Sequence, residues 1–283
     1  MAEISAALVM ELRRRTGLGM MECKKALAEA NGDLDKAEEL LRIKGSAKAT
    51  KAASRVAAEG VIGAHLSGDG KAGALVELNS ETDFVAKNED FLAFAAELAK
   101  AAAGGSDLTS PDIEKRRQEL VQKIGENMTI RRFKRLQARG KLALYVHAGS
   151  KIGVLVDYEG PEDVAKDVAM HIAFHKPPHM TKAEVPADVV EREREIQLAR
   201  AKESGKPAEI AAKMVEGSLN KFLGEITLMG QPFIKDDKQT IEKMLSAKKS
   251  KVNSYAFLVV GEGIEKKTAD FAAEVMAQAG KAH

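Results

Sequence analysis

Gly68-Asp69-Gly70-Lys71-Ala72-Gly73 matches, letter for letter, the glycine pattern that cradles the pyrophosphate of a dinucleotide. That chemistry needs the run to end a strand and open a helix, so that phosphate meets the helix N-terminus. Strand-like runs instead lie on both sides, Val61–Leu66 before and Ala72–Leu78 after. The expected element is a hairpin turn whose glycines adopt positive φ. His171, His175 and His179 recur every four residues, and the first pair could face a metal from one helix. Pro177-Pro178 ends that helix before His179, and no Glu follows His171 to make a zinc-protease motif. Beside Met170, Ile172 and Phe174, these histidines read more simply as half-buried structural residues, and His175 and His179 receive no function. Cys23, next to Lys24 and Lys25 near a helix start, has a setting that could lower a thiol pKa, yet a small buried hydrophobe accounts for it more simply. No P-loop, no Gly-x-Ser-x-Gly and no catalytic pair at a telling spacing occurs. The expectation is a protein without catalytic residues, metal ligands or a bound cofactor, which is not an enzyme.

Two basic stretches offer RNA contact as a competing use. Lys44, Lys48, Lys51 and Arg55 are spaced along one segment, and Arg131, Arg132, Lys134, Arg135, Arg139 and Lys141 cluster around a strand. Neighbouring strand residues point to opposite faces, so Arg131 and Arg132 should not line one groove. A solvated strand protected against edge-to-edge pairing is the alternative. The whole-chain balance favours that alternative, because 44 basic residues face 42 acidic ones for a net charge of only +2. Twelve aromatic residues and no Trp provide few stacking platforms. Direct nucleic-acid contact is therefore not expected. One cysteine excludes an internal disulfide and fits a reducing compartment. Glu3 and Glu11 disfavour signal and transit peptides, and no apolar run approaches the ~20 residues of a membrane helix. A cytoplasmic protein that does not enter a membrane is expected.

The elements behind these residues suggest several units, since 283 residues exceed what one core usually holds. Residues 1–55 read as a three-helix module, capped by Ser5 and Asp33, with the Gly, Ala, Ser and Lys stretch 45–55 as its tether. The segments 56–140 and then 141–180 with 229–263 repeat one plan: a hairpin, helices and a closing strand. Gly73-Ala-Leu-Val-Glu-Leu and Gly153-Val-Leu-Val-Asp-Tyr hold matching places. Asn88 should cap one helix and Ser110-Pro111 open another. A helix from about 238 to 247 should lead into the last strand. The fold class is α+β, a duplicated core of antiparallel three-stranded sheets backed by helices. Residues 181–228 read as a helical hairpin inserted in the second copy, turning at Gly205-Lys206-Pro207, and 264–283 as a C-terminal helical module. The hairpin is also a candidate surface for self-association.

Phe84 lies in the connection after a strand, where a Phe is either tucked under the sheet or left out for a partner, and the residues alone favour the tucked ring. Its setting, Thr82-Asp83-Phe84-Val85-Ala86-Lys87-Asn88, resembles the signature of the elongation factor Ts family, guanine-nucleotide exchange factors for elongation factor Tu. Thr16–Leu27 resembles that family's N-terminal signature. Ile152–Val156, Gly205–Ile210 with Lys213–Gly217, and Gly230–Phe233 are similar in turn. The resemblance runs the length of the chain in order. It implies a ubiquitin-associated-like N-terminal module, and it implies elongation factor Tu as partner. Thr82, Asp83, Phe84 and Val85 would then approach the partner's nucleotide-binding domain, with Phe84 as a wedge that dislocates Mg²⁺. Arg13, Met20 and Met21 would touch the same domain, and His147 the partner's third domain.

Overall fold

Ser5, Asp33 and Asn88 each begin a helix in the same way, by accepting a backbone N–H that the first turn leaves free. The computed structural model describes residues 4–265. Helix α1 (Ala6–Thr16) stops at Gly17, whose φ of 69° suits a residue without Cβ. With α2 (Met20–Glu29) and α3 (Leu34–Ala52) it encloses Leu12, Cys23, Leu27 and Leu41, all buried. The supposed tether is thus helical as far as Ala52. Its small residues form a contact face: Ala49 and Ala52 belong to the next core, and a Cβ on Gly45 would lie 2.0 Å from Gln122 Oε1. Gln122 Nε2 in turn donates to the Leu41 carbonyl at 2.9 Å. Composition that reads as a linker here permits close helix packing.

The first sheet is β1 (Glu59–Leu66), β2 (Ala72–Ser80) and β3 (Met128–Gln137), antiparallel, with β2 central. Between β2 and β3 run α4 (Glu89–Gly104) and α5 (Pro111–Ile124), the latter opened by Pro111 as the sequence predicts. The second unit supplies β4 (Lys141–Val146), β5 (Ile152–Glu159) and α6 (Glu162–His175). The chain leaves it through α7 (Ala187–Glu203) and α8 (Ala208–Glu225), which pack on each other. It returns by a small ribbon, β6 (Pro232–Phe233) with β7 (Asp236–Thr240), then α9 (Ile241–Ala247) and β8 (Lys251–Val259), which pairs with β5. The helix expected from about 238 begins later, at Ile241. Thr240 Oγ1 accepts the Lys243 N–H and caps it, leaving 236–240 extended. Of the expected C-terminal helical module 264–283, residues 266–283 lie outside the described residues.

The central strand of each sheet is buried on both faces. Ala74, Val76 and Leu78 of β2 pack with Phe91, Phe94 and Leu98 of α4, while Val154 and Val156 of β5 pack with Val168 and Ile172 of α6. The alternate residues meet between the sheets, where Ile62 and Leu75 touch Leu155 and Leu258. That is why these strands read as continuous apolar runs. Gly73 and Gly153 lie at this contact, and a Cβ on Gly153 would come within 2.7 Å of Ile62 Cγ2. The result is an α+β core of two sheets back to back with helices outside. Among the described residues no helix is long and apolar enough to cross a membrane.

Candidate functional site

Phe84 is 79% exposed, more than any other large apolar side chain among the described residues. A single exposed ring is not by itself a sign of function, and Phe174 is 69% exposed; what distinguishes Phe84 is the loop that carries it. It sits in residues 81–88, between β2 and α4, and the loop around it is tightly bonded. Glu126, just beyond α5, accepts the Glu81 N–H at 3.1 Å, the Thr82 N–H at 2.9 Å and the Thr82 hydroxyl at 2.6 Å. Glu81 reciprocates by accepting the Asn127 N–H and pairing with Arg55 at 3.2 Å. Val85 and Ala86 turn inward to the core of the first sheet, and the N–H groups of Lys87 and Asn88 close a helical turn on Phe84 and Val85.

The residues grouped by sequence therefore occupy different layers of the loop. Thr82 is fastened to Glu126, and Val85 is buried at 8% exposure. Asp83 is exposed and bonded to Lys87 Nζ at 2.8 Å; that contact holds its carboxyl below the usual carboxylate range. The Lys87 ammonium also lies 5.8 Å from the Phe84 ring centroid. The Phe84 ring projects into solvent from a backbone that its neighbours fix.

Arg13 on α1 and Met20 and Met21 at the start of α2 are all exposed, the methionines at 45% and 65%. They flank the Gly17–Gly19 turn, while Arg14 and Arg15 are engaged by Glu11. His147 is exposed at the turn between β4 and β5, its Nδ1 3.0 Å from the Tyr145 hydroxyl.

The other chemical candidates resolve locally. Gly70, at φ 68°, lies in the turn between β1 and β2, with strand on both sides. His171 is fully buried: its Nε2 meets Gln231 Oε1 at 2.9 Å and its Nδ1 accepts the Ile234 N–H at 3.3 Å. Accepting that N–H fixes the neutral Nε2–H tautomer, and burial lowers its pKa to about 4. Cys23 is buried in the N-terminal module.

Arg131 and Arg132 overturn the argument from alternation. The pairing of β2 with β3 shifts between Glu77 and Leu78, leaving Arg131 as the extra residue of a bulge. Both guanidiniums then reach the fully buried Glu77, Arg131 at 3.1 Å and Arg132 at 2.6 Å. Arg132 also binds Glu262 at 2.9 Å, and Arg135 donates to the Ala103 carbonyl. Lys44 and Lys48 pair with Glu29 and Glu22. Much of both basic stretches is thus joined to the fold itself, and long-range pairing of this kind left no trace in the sequence. Glu126 was missed for the same reason.

A groove of about 880 Å³ runs between α3 and α5, lined by Arg15, Glu38, Arg42, Glu119 and Lys123 among others. Its charges are of both signs, and Phe84 is not among the residues that line it.

Comparison with known proteins gives a consistent result. The family model described as Elongation factor TS matches residues 81–262. The Elongation factor Ts of Nitrosomonas eutropha is 55% identical, covering 98% of each chain. Those of Bordetella petrii and Cupriavidus taiwanensis are 56% and 57% identical, covering 99% and 98% of each chain respectively.

Proposed function

The chain belongs to the elongation factor Ts family of translation elongation factors, and from that premise we propose that it binds elongation factor Tu carrying GDP and promotes GDP release. It does so by contact alone and is not itself an enzyme. The observation that supports this most directly is Phe84, a bare aromatic ring on a loop whose backbone is bonded at nearly every position. A rigidly mounted aromatic is suited to enter a pocket, because little conformational entropy is lost on binding.

Phe84 and its neighbours Thr82, Asp83 and Val85 form the loop that approaches the nucleotide-binding domain. Arg13, Met20 and Met21 make a second contact with that domain, and His147 meets the third. Mg²⁺ tolerates little departure from octahedral geometry, and backbone N–H groups of a phosphate loop hold the β-phosphate. A shift of about an ångström in the helix behind them weakens both sets of contacts, and each ~1.4 kcal/mol lost speeds release about tenfold. No residue of this chain needs to touch the nucleotide, and GTP can then rebind. The competing RNA reading draws no support from Arg131 and Arg132, which face Glu77 and Glu262.

Stopped-flow release of a fluorescent GDP analogue from the cognate elongation factor Tu tests the proposal. Release accelerated by catalytic amounts of the factor is expected. Unchanged release despite complex formation would reduce the protein to a binding module.

A further inference from the structure

Residues 81–88 and residues 160–161 fill the same place in the two units, the link from central strand to first helix. The second unit makes the link with Gly160-Pro161 alone, Gly160 at φ 118° lying against Ser250. The duplicated fold therefore does not require the longer link, and the first unit carries its extra residues in a defined shape. That shape is held from outside the loop. The Glu126 carboxylate accepts the Glu81 and Thr82 N–H groups and the Thr82 hydroxyl, while Glu81 accepts the Asn127 N–H. Thr82 Oγ1 then receives the Val85 N–H at 3.4 Å, carrying the restraint to the turn that bears Phe84.

We propose that Glu126 is a positioning residue for exchange: without touching the partner, it keeps residues 81–88 in the conformation that presents Phe84. This rests on the exchange reading above. A loop that samples several conformations binds through the competent fraction only, so the apparent dissociation constant rises in inverse proportion to that fraction. Once the partner is bound the competent form is selected, and the maximal rate is kept. The wedge itself behaves differently, since its removal lowers the maximal rate.

The test measures stimulated GDP release against factor concentration for the parent, Glu126→Ala, Glu126→Gln and Phe84→Ala, with amide hydrogen exchange on each free protein. For Glu126→Ala the half-saturating concentration should rise about tenfold while the saturating rate stays within about twofold. Glu126→Gln, which keeps one acceptor oxygen, should fall between, and it serves if the alanine variant does not fold. Protection of the Glu81, Thr82 and Val85 amides should drop, with α5 and β3 unaffected. An unchanged half-saturating concentration in a folded variant, or a loss confined to the saturating rate, would overturn the proposal. If the parent does not accelerate GDP release the exchange reading itself fails, and if Phe84→Ala exchanges as fast as the parent Phe84 is not the wedge; undiminished loop protection in Glu126→Ala would separately refute the clamp.

Discussion

Glu77 and Asp157 stand at matching points of the two central strands, and each carboxylate accepts backbone N–H groups from the segment that follows the edge strand of the other unit. Glu77 Oε1 receives Gly261 N–H at 2.7 Å; Asp157 receives those of Arg139 and Gly140 at 2.9 and 3.1 Å. Other bonds recur in both copies, some across the joint and some within a copy. Lys71 Nζ reaches the Gly140 carbonyl, and Lys151 Nζ the Gly60 carbonyl at 2.9 Å. Within the first copy Ala138 N–H donates to the Lys71 carbonyl at 2.8 Å, and within the second Val260 N–H donates to that of Lys151 at 2.9 Å, each extending its own strand ladder. The duplication extends to the joint between the copies, which is sewn with the same stitches from both sides.

Glu77→Ala should therefore loosen that joint. The substitution removes the shared partner of two part-exposed arginines that still reach Glu262, so the loss should fall below the ~3–5 kcal/mol typical of breaking a fully buried pair. Urea denaturation should show that loss. Burial acts to raise the Glu77 pKa, but the Gly261 N–H and the Arg132, Asn79 and Arg131 side chains outweigh it, so the net shift is downward. A depressed carboxylate stabilises the fold above its unfolded pKa, near 4.5, and the stabilisation fades as pH falls through the folded value. The parent should lose stability in that window and the variant should lose less.

His171 predicts acid sensitivity at higher pH. Its folded pKa of about 4 lies below the ordinary 6.5, chiefly through burial, so the unfolded chain binds the proton first. Stability should decline as pH drops from about 6.5 towards 4, by about 3 kcal/mol for this one group, and level off below. His171→Leu should flatten that portion of the curve. A His171 titration near 6.5 in NMR would contradict the expectation.

Phe84→Ala should leave thermal melting unchanged, because its ring packs on nothing that folding requires. Stimulated GDP release should fall about 30- to 1000-fold, the equivalent of an anchor worth ~2–4 kcal/mol. A folded variant with near-normal release would remove Phe84 from the mechanism.

Removing residues 187–226 and joining the ends should preserve the core and substantial exchange. Both roots of the arm are pinned side by side: Leu228 N–H donates to the His179 carbonyl at 2.8 Å and Met229 N–H to that of Met180 at 3.1 Å. The deletion costs Gln231 its bond to the Glu225 carbonyl, so melting should fall by only about 2–6 °C. Failure to fold would place the arm within the core.

GDP and this protein should antagonise each other on elongation factor Tu. The four binding equilibria close a cycle, so if the factor weakens nucleotide binding, GDP must weaken factor binding by the same ratio. Calorimetry should find tighter binding to the nucleotide-free partner than to the GDP–Mg²⁺ form, and chelating Mg²⁺ should narrow the gap. Equal affinities would exclude the exchange mechanism.

Local chemistry made much of this fold legible. The caps at Ser5, Asp33 and Asn88, the proline at the start of α5 and the glycine turn at Gly70 each act within a few residues. The duplication was visible in the runs from Gly73 and Gly153, down to the acids that became Glu77 and Asp157. What escaped depends on distance along the chain. Glu126 meets Thr82 across 44 positions, and the bulge at Arg131 is set by pairing with β2 rather than by its own neighbours. The 45–52 stretch looks like a spacer until α5 is present for its small side chains to lie on. The exposure of Phe84 could be inferred from resemblance, whereas the residues alone favoured a tucked ring.

The reciprocal ties between the two units set the mechanical quality of the molecule. An inserted ring and the element it displaces act as springs in series, and the softer one takes up most of the motion. If the sheets slid over each other, binding at the His147 end would be absorbed at the joint before any force reached Phe84. The Lys151–Gly60 and Gly261–Glu77 bonds cross that joint close to the strand ends. They resist sliding of one sheet over the other, so a load taken at the His147 end is passed on through the joint and not lost in it.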